Sequence, residues 1–387
     1  MKQPSLSINE QITMWNQKAA LLAGNQSFET IGIQIELEAG AIRKLPAYIH
    51  RERYQQVMVV YDTYTYEAAG RQTIDLLQSI DVGITELELR ENKEGDVIAD
   101  EATIVQLLLA VTPQTDAIIA IGSGTIHDVV RIVSHKMNKP FLSVPTAASV
   151  DGFTSAGAPL IVNGTKETFQ AKAPEAIFAD INILINAPQT LTAAGFGDML
   201  GKCTSLADWK VSRDLGQEPY NQLVYDITEE ALNQCIEKVD LIASGSAEGI
   251  YTVMYSLLAS GIAMLIADHS RSASGGEHHI SHRWEMELIK GGHRQILHGA
   301  KVGVASALLA DHYRQLAIDH PEVKAFAAYK DIPTSAQMKK WLSAAGGPSE
   351  YEQLSMPAEW LELALHSAHT LRNRYTGLKY MNEHQLI

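Results

Sequence analysis

The sequence predicts an α/β domain built on a mostly parallel, Rossmann-like sheet, followed by an all-α domain. Three observations carry this expectation. Residues 1–187 alternate short β-rich runs with helical patterns. From Pro188 onward the chain is rich in Ala, Leu and Met, with few β-branched runs. At 387 residues it exceeds one ordinary core, so two domains, 1–187 and 188–387, are the natural division.

The elements follow in order. ETIGIQIEL (29–37) is the first candidate strand and leads into a helical pattern near 39–50. QVMVVYD (56–62) precedes a helix near 64–79, and ITELELR (84–90) precedes one near 100–112. DAIIAIG (116–122) runs into a helix near 125–137, and PFLSVPT (140–146) and AIFADINIL (176–184) complete the set. Apolar strands separated by helices indicate a parallel sheet covered on both faces. APLIVNGTKETFQA (158–171) differs, because two short runs flank Asn163-Gly164, a pair favoured in hairpin turns.

In the second half, GIYTVMYSLLASGIAMLIA (249–267) is uncharged and long enough to span a bilayer. Glu248 and Asp268 bound it instead of basic anchors, and Ser256, Ser260 and Gly261 interrupt it. We expect the buried central helix of the helical domain. No internal repeat, low-complexity tract or long linker is visible. The boundary near 187 suggests a cleft between the halves, a favoured place for ligands.

Composition narrows the function classes. Hydrophobic and charged contents of 46% and 20% fit a globular chain and not a disordered one. A formal net charge of −14 argues against nucleic acid or a membrane surface as partner. A small anion, met by local donors, stays possible. Cys203 and Cys235 are the only cysteines, which excludes a disulfide framework and a thiolate-rich zinc site. The segment MKQPSLSINEQITMWNQKAA lacks the apolar core of a signal peptide, so a cytoplasmic location is expected.

Several motifs carry chemistry. In DAIIAIGSGTIHDVVRIV a strand meets Gly122-Ser123-Gly124-Thr125 and then an amphipathic helix. Glycines let the backbone approach a phosphate, and the helix N-terminus offers unpaired N–H groups. The third glycine of a dinucleotide fingerprint is replaced by His127, so an ordinary strand-to-helix turn is an equal alternative. Asp62 ends its strand where an acid can accept ribose hydroxyls of NAD, or else caps the next helix. VPTAASVDGFTS (144–155) presents Thr146, Ser149, Asp151 and Ser155 after a strand, suited to a ring or phosphate or to a capped loop.

SGGEHHISH (274–282) packs three histidines and a glutamate behind two glycines. His278 and His282 are four apart and share one helical face. His279 is expected to point away from His278 and to lie exposed. RQILHGAKVGVASALLADHY opens a helix at His298, and AAGFGDMLGKCTSLADWK places Asp198 after two glycines at an expected helix opening. Two imidazoles and a carboxylate suit a catalytic divalent metal; taken singly, Asp198 is more often a helix N-cap.

Together GSGTIHD, VPTAASVDGFTS, GFGDMLGK, GGEHHISH and LHGAKVG resemble the iron-containing alcohol dehydrogenase and dehydroquinate synthase superfamily. Within it the chain is most similar to the bacterial branch of the sn-glycerol-1-phosphate dehydrogenases. The resemblance implies reduction of dihydroxyacetone phosphate to sn-glycerol 1-phosphate by NADH or NADPH, in phospholipid biosynthesis. It implies one divalent metal, nickel, zinc or iron, and a homodimer or larger assembly.

Residue by residue, the resemblance makes Asp198, His278 and His298 metal ligands. Gly122, Ser123, Gly124, Thr125 and Ile126 match the pyrophosphate turn, while Thr146, Ala147, Ala148, Ser149 and Ser155 match further cofactor contacts. Asp151 and His282 match substrate positions beside the metal, and His282 is a candidate proton relay. Lys202 is our candidate for the substrate phosphate, its alternative being a solvated helix lysine. Val150 precedes Asp151 where many archaeal members have histidine. A longer interval after His278 leaves His293 as the alternative to His298.

Three rival functions stand beside this reading. A glycerol dehydrogenase would need no phosphate site. A sugar-phosphate cyclase would need more basic residues than Lys202, Arg283, Lys290, Arg294 and Lys301. A non-catalytic nucleotide-binding module would need no open metal site.

Overall fold

Among the described residues, eight strands form in the first half of the chain, six of them in one parallel sheet. They are β1 (Gln34–Glu38), β2 (Gln56–Tyr61), β3 (Gly83–Glu88), β4 (Ala117–Gly122), β5 (Phe141–Pro145), β6 (Gly157–Val162), β7 (Thr165–Gln170) and β8 (Ala176–Asp180). The computed structural model describes residues 6–23 and 29–387, and the chain divides into two units between Pro188 and Gln189.

The sheet order is β1-β8-β5-β4-β2-β3, all parallel. Every residue of β4, β5 and β8 is buried, as expected of strands covered on both faces. The edge strand β3 is only half-buried, and its GITELE sequence puts acids where a second chain would pair. At the other edge, Asn9 blunts β1: its Nδ2 donates to Ile35 O at 2.7 Å and its Oδ1 accepts Ile35 N–H at 2.9 Å. Asn9 sits on the helix Ile8–Ala23, an element absent from the sequence-based expectation.

Two further expectations are corrected. The first strand starts at Gln34, not at 29, because pairing with β8 begins there. The last ends at Asp180, whose carboxylate takes N–H groups of Asn182 at 2.9 Å and Gly40 at 2.8 Å. A capped turn, Ile181–Leu184, follows in place of further strand. The antiparallel pair β6–β7 turns at Asn163 and Gly164 with φ of 51° and 71°, the two positive angles a tight hairpin needs.

One sheet face carries Val57, Val59, Ile119 and Ile121 against Ile74 and Leu77 of the helix Arg71–Gln78. The other carries Met58, Val60, Ile118 and Ala120 against Val129, Val130 and Val133 of the helix Gly124–Lys136. The connections leaving β2 and β4 thus go to opposite faces although the strands are neighbours. Their C-terminal ends form a topological switch point, the place where open α/β sheets bind ligands.

The second unit is helical. Its apolar helix Ala247–Ala267 packs on Gln222–Glu237 and Gln189–Leu200. Ser256, Ser260 and Gly261 are as buried as Leu257 and Ile262, so the helix is enclosed all round. Among the described residues it is the one helix long and apolar enough to cross a membrane, and most of it is buried.

Candidate active site

At the switch point, β4 ends at Gly122 and β5 at Pro145, paired side by side. The Gly122–Thr125 turn and the Thr146–Ser149 turn are therefore neighbours, joined where Thr146 N–H donates to Gly122 O at 3.0 Å. Thr146, Ala147, Ala148, Ser149 and Ser155 are buried. Ser123 precedes the helix Gly124–Lys136 without a side-chain cap, so its first N–H groups are not met by that hydroxyl.

His127 is fully buried. Its ring nitrogens lie 2.8 Å from Ser123 O and 2.7 Å from Ser143 Oγ. Burial pushes its pKa down to about 3, so it is a neutral strut. Asp62 forms a capping box: Oδ1 accepts Thr65 N–H at 2.8 Å and Thr65 Oγ1 accepts Asp62 N–H at 2.9 Å. The capping alternative is thus realised, on a residue still partly exposed. Asp151 begins a short 3-10 turn, Asp151–Phe153, and is also partly exposed.

The helical unit gathers the second constellation. Asp198 lies on Gln189–Leu200, His278 on Gly276–Lys290 and His298 at the first residue of His298–Asp319. One ligand atom from each comes within 4.8 Å of the others. His278 Nε2 is 3.8 Å from Asp198 Oδ1, and the His278 and His298 ring centres are 5.1 Å apart. The His282 ring stands 6.4 Å from His278 and 6.0 Å from His298. Ligand–metal bonds of about 2.0–2.2 Å need donors a few ångströms apart, as here, and one carboxylate with two imidazoles suits zinc, nickel or iron.

Glycine makes this convergence possible. A Cβ on Gly299 would lie 1.8 Å from Ala194 O, and one on Gly197 would lie 2.4 Å from Gly299 O. The two helices therefore cross backbone to backbone, which draws Asp198 to His298. The third helix is held at its start by Asp208. That fully buried carboxylate takes N–H from Gly276 and Gly377 at 2.8 Å each, and hydroxyls of Tyr313 at 2.9 Å and Tyr329 at 2.7 Å. Burial, then Glu277, pushes the Asp208 pKa up to about 7.

A family model described as iron-containing alcohol dehydrogenase matches residues 36–188. The glycerol-1-phosphate dehydrogenase (NAD(P)+) of Bacillus licheniformis is 47% identical, over 89% of this chain and 87% of that one. The protein of that name from Bacillus subtilis (strain 168) is 46% identical, over 96% of each. The chain belongs to the glycerol-1-phosphate dehydrogenase family. Like its relatives in that family, it is an NAD(P)-linked oxidoreductase. A crystal structure of glycerol dehydrogenase from Schizosaccharomyces pombe shares the fold, with a TM-score of 0.69 at 17% identity over 90% of this chain and 84% of that one.

Several sequence-based placements need correction. Asp198 does not open a helix: its helix starts at Gln189, and Gly195 and Gly197 lie inside it. His279 is fully buried, not exposed, because neighbouring elements enclose the start of its helix. Neither of its ring nitrogens has a hydrogen-bond partner among the described residues, and burial holds its pKa well below the usual range.

Lys202 is fully enclosed, with Nζ 2.8 Å from Asp198 Oδ1. It balances buried carboxylates and offers no face to a phosphate, contrary to the role assigned from sequence. His298, not His293, joins the cluster; His293 is exposed with its ring 5.9 Å from Trp360. Cys235 is buried and Cys203 half-buried; burial pushes the pKa of each up to about 12, so both stay thiols near neutral pH.

Sequence reasoning missed three groups here. Lys301, 1% exposed, has Nζ 3.3 Å from Glu285 Oε2, one turn along from His298 and His282. Asp208 sits in LADWK, where no local pattern marks it. Glu277 is quoted within SGGEHHISH, and its position directly before a candidate ligand was the available signal.

Proposed function

We propose that the chain reduces dihydroxyacetone phosphate to sn-glycerol 1-phosphate with NADH or NADPH, and runs the reverse oxidation, using one divalent ion per subunit. The observation that carries this reading is the convergence of Asp198, His278 and His298 within 4.8 Å, in a chain of this family. Those three residues would hold the ion, which when bound polarises the substrate ketone. The nucleotide supplies hydride to C2.

The remaining work falls to the chain. Gly122, Ser123, Gly124, Thr125 and Ile126 receive the pyrophosphate through backbone N–H groups at a helix N-terminus. Thr146, Ala147, Ala148, Ser149 and Ser155 line the neighbouring turn as further cofactor contacts, and Asp62 meets the adenosine ribose. Asp151 orients a substrate hydroxyl. His282, largely buried beside both ligand histidines, delivers the proton to the C2 oxygen. Hydride and proton together convert the ketone to the secondary alcohol. Zinc, nickel and iron all suit the donor set, and metal analysis of the purified chain identifies the ion. A homodimer or larger assembly is expected, measurable by light scattering.

The test is an NADH or NADPH oxidation assay with dihydroxyacetone phosphate, followed by enantiomer-specific analysis of the product. The expected product is sn-glycerol 1-phosphate. Formation of sn-glycerol 3-phosphate, or equal turnover of unphosphorylated dihydroxyacetone, overturns the reading.

A further inference from the structure

A fixed carboxylate stands behind His278. Glu277 is fully buried. Its Oε1 lies 2.7 Å from His278 Nδ1 and accepts Gly275 N–H at 2.7 Å. Its Oε2 accepts the Thr204 hydroxyl at 2.8 Å. With its proton on Glu277, the Thr204 oxygen can accept from Ser306 Oγ at 2.9 Å, so the carboxylate plane is set by two elements of the helical unit.

The direction of the His278 bond follows from this arrangement. Both Glu277 oxygens already receive donors, so the carboxylate meets the ring as an acceptor and the imidazole proton sits on Nδ1. Nε2 then keeps its lone pair on the side of Asp198, whose Oδ1 is 3.8 Å away. His279 offers a comparison one residue later. It is equally buried, yet neither ring nitrogen has a hydrogen-bond partner among the described residues, so no neighbour selects its tautomer.

We propose that Glu277 is a positioning residue of the metal centre: it locks the His278 ring with Nε2 toward Asp198 and His298 and raises the basicity of that nitrogen. The proposal rests on the reading of Asp198, His278 and His298 as metal ligands. A carboxylate hydrogen-bonded to the distal nitrogen of a ligating histidine fixes both orientation and donor strength, and its loss weakens metal binding about 10- to 100-fold.

The test uses the full chain stripped of metal and titrated with Zn²⁺ against a chelating dye, as wild type, E277Q, E277A and H278A. Wild type should bind zinc and H278A should not. E277Q and E277A should bind about 10- to 100-fold more weakly, while metal-free E277Q melts at the wild-type temperature. The Co²⁺-loaded E277Q absorption spectrum should shift, which a purely structural role would not cause. If E277A fails to fold, E277Q decides. Wild-type affinity in E277Q, with binding lost in H278A, overturns the proposal alone. Zinc retained by H278A, or none taken up by wild type, overturns the ligand assignment and the proposal together.

Discussion

In the α/β unit, Gly122 and Gly124 stand where a strand turns into a helix; in the helical unit, Gly197 and Gly299 stand where two helices cross. A Cβ on Gly122 would meet the Ile126 side chain, 2.5 Å from Cδ1, and one on Gly124 would meet Val150 Cγ2 at 3.2 Å. Both neighbours are side chains, although at Gly122 the Ile126 Cβ, at 3.0 Å, is itself close. At Gly197 and Gly299 the obstacle is main-chain carbonyl, at 2.4 Å and 1.8 Å, which cannot move. In one unit glycine makes room for side chains packed on a strand-to-helix turn; in the other it lets two backbones touch so that side chains from distant segments converge. Similar motifs, GSG and GFGD, thus reflect different physics.

The largest expected effect tests the convergent site. His278→Ala should lose bound metal and lower turnover by on the order of 10³-fold, the scale of removing transition-state charge stabilisation. Chelation should abolish activity while circular dichroism shows both helix and sheet retained. Full metal content in the His278→Ala protein would remove the site assignment.

Next comes the glycine contrast itself. Gly299→Ala should cost about 3 kcal/mol of stability in denaturant unfolding, because overpacking against backbone has no cheap relief. Gly122→Ala should cost less than Gly299→Ala, since its obstacle is the Ile126 side chain and not main chain, yet weaken NADH binding in a titration. Equal stability losses at the two positions would break the comparison.

His282→Ala should retain its metal and lose about 10²-fold in turnover with dihydroxyacetone phosphate, the scale of a positioned proton donor. Wild-type rates in that variant would return the proton transfer to solvent.

The two units also treat histidine differently, and pH can show it. The folded His127 pKa is about 3, below its ordinary 6.5. As pH falls below 6.5 the unfolded chain takes up a proton that the folded chain refuses. Stability from this group is therefore fully present above pH 6.5 and drains as pH falls toward 3. Between pH 7 and 5 the loss is about 2 kcal/mol, and His127→Gln should flatten that part of the profile in denaturant titrations. An unchanged slope would mean that His127 is protonated in place.

The smallest effect concerns Asp62, where a capping role is already visible. Asp62→Ser can keep the cap but removes charge near the expected ribose. The ratio of NADH to NADPH turnover should fall by about two- to fivefold, the worth of one part-exposed charge. An unchanged ratio would leave Asp62 a cap and nothing more.

Much of this molecule is written locally. β4 and β5 are uniformly apolar because parallel strands are buried on both faces, and DAIIAIG and PFLSVPT read accordingly. The Asn163-Gly164 turn, the enclosed helix Ala247–Ala267 and the shared face of His278 and His282 follow from short-range geometry in the same way. The start of β1 did not, since the run from Glu29 is apolar enough for a strand but the first pairing partner, Ala176, lies far along the chain. Nor did the buried state of His279, which neighbouring elements impose.

What the sequence by itself determined is periodicity and turn chemistry, because each depends on residues a few positions apart. Only the tertiary structure decided that Asp198, His278 and His298 meet, that Lys202 serves Asp198 and not a phosphate, and that Glu277 faces His278. The first depends on helices from separate parts of the chain packing at the Gly197–Gly299 contact, and the second, between residues four apart, on the enclosure of both charges. In the last, the rotamer of one side chain is held by Thr204, 73 positions away along the chain. Burial sets those choices, and no local pattern encodes which distant surfaces will bury one another.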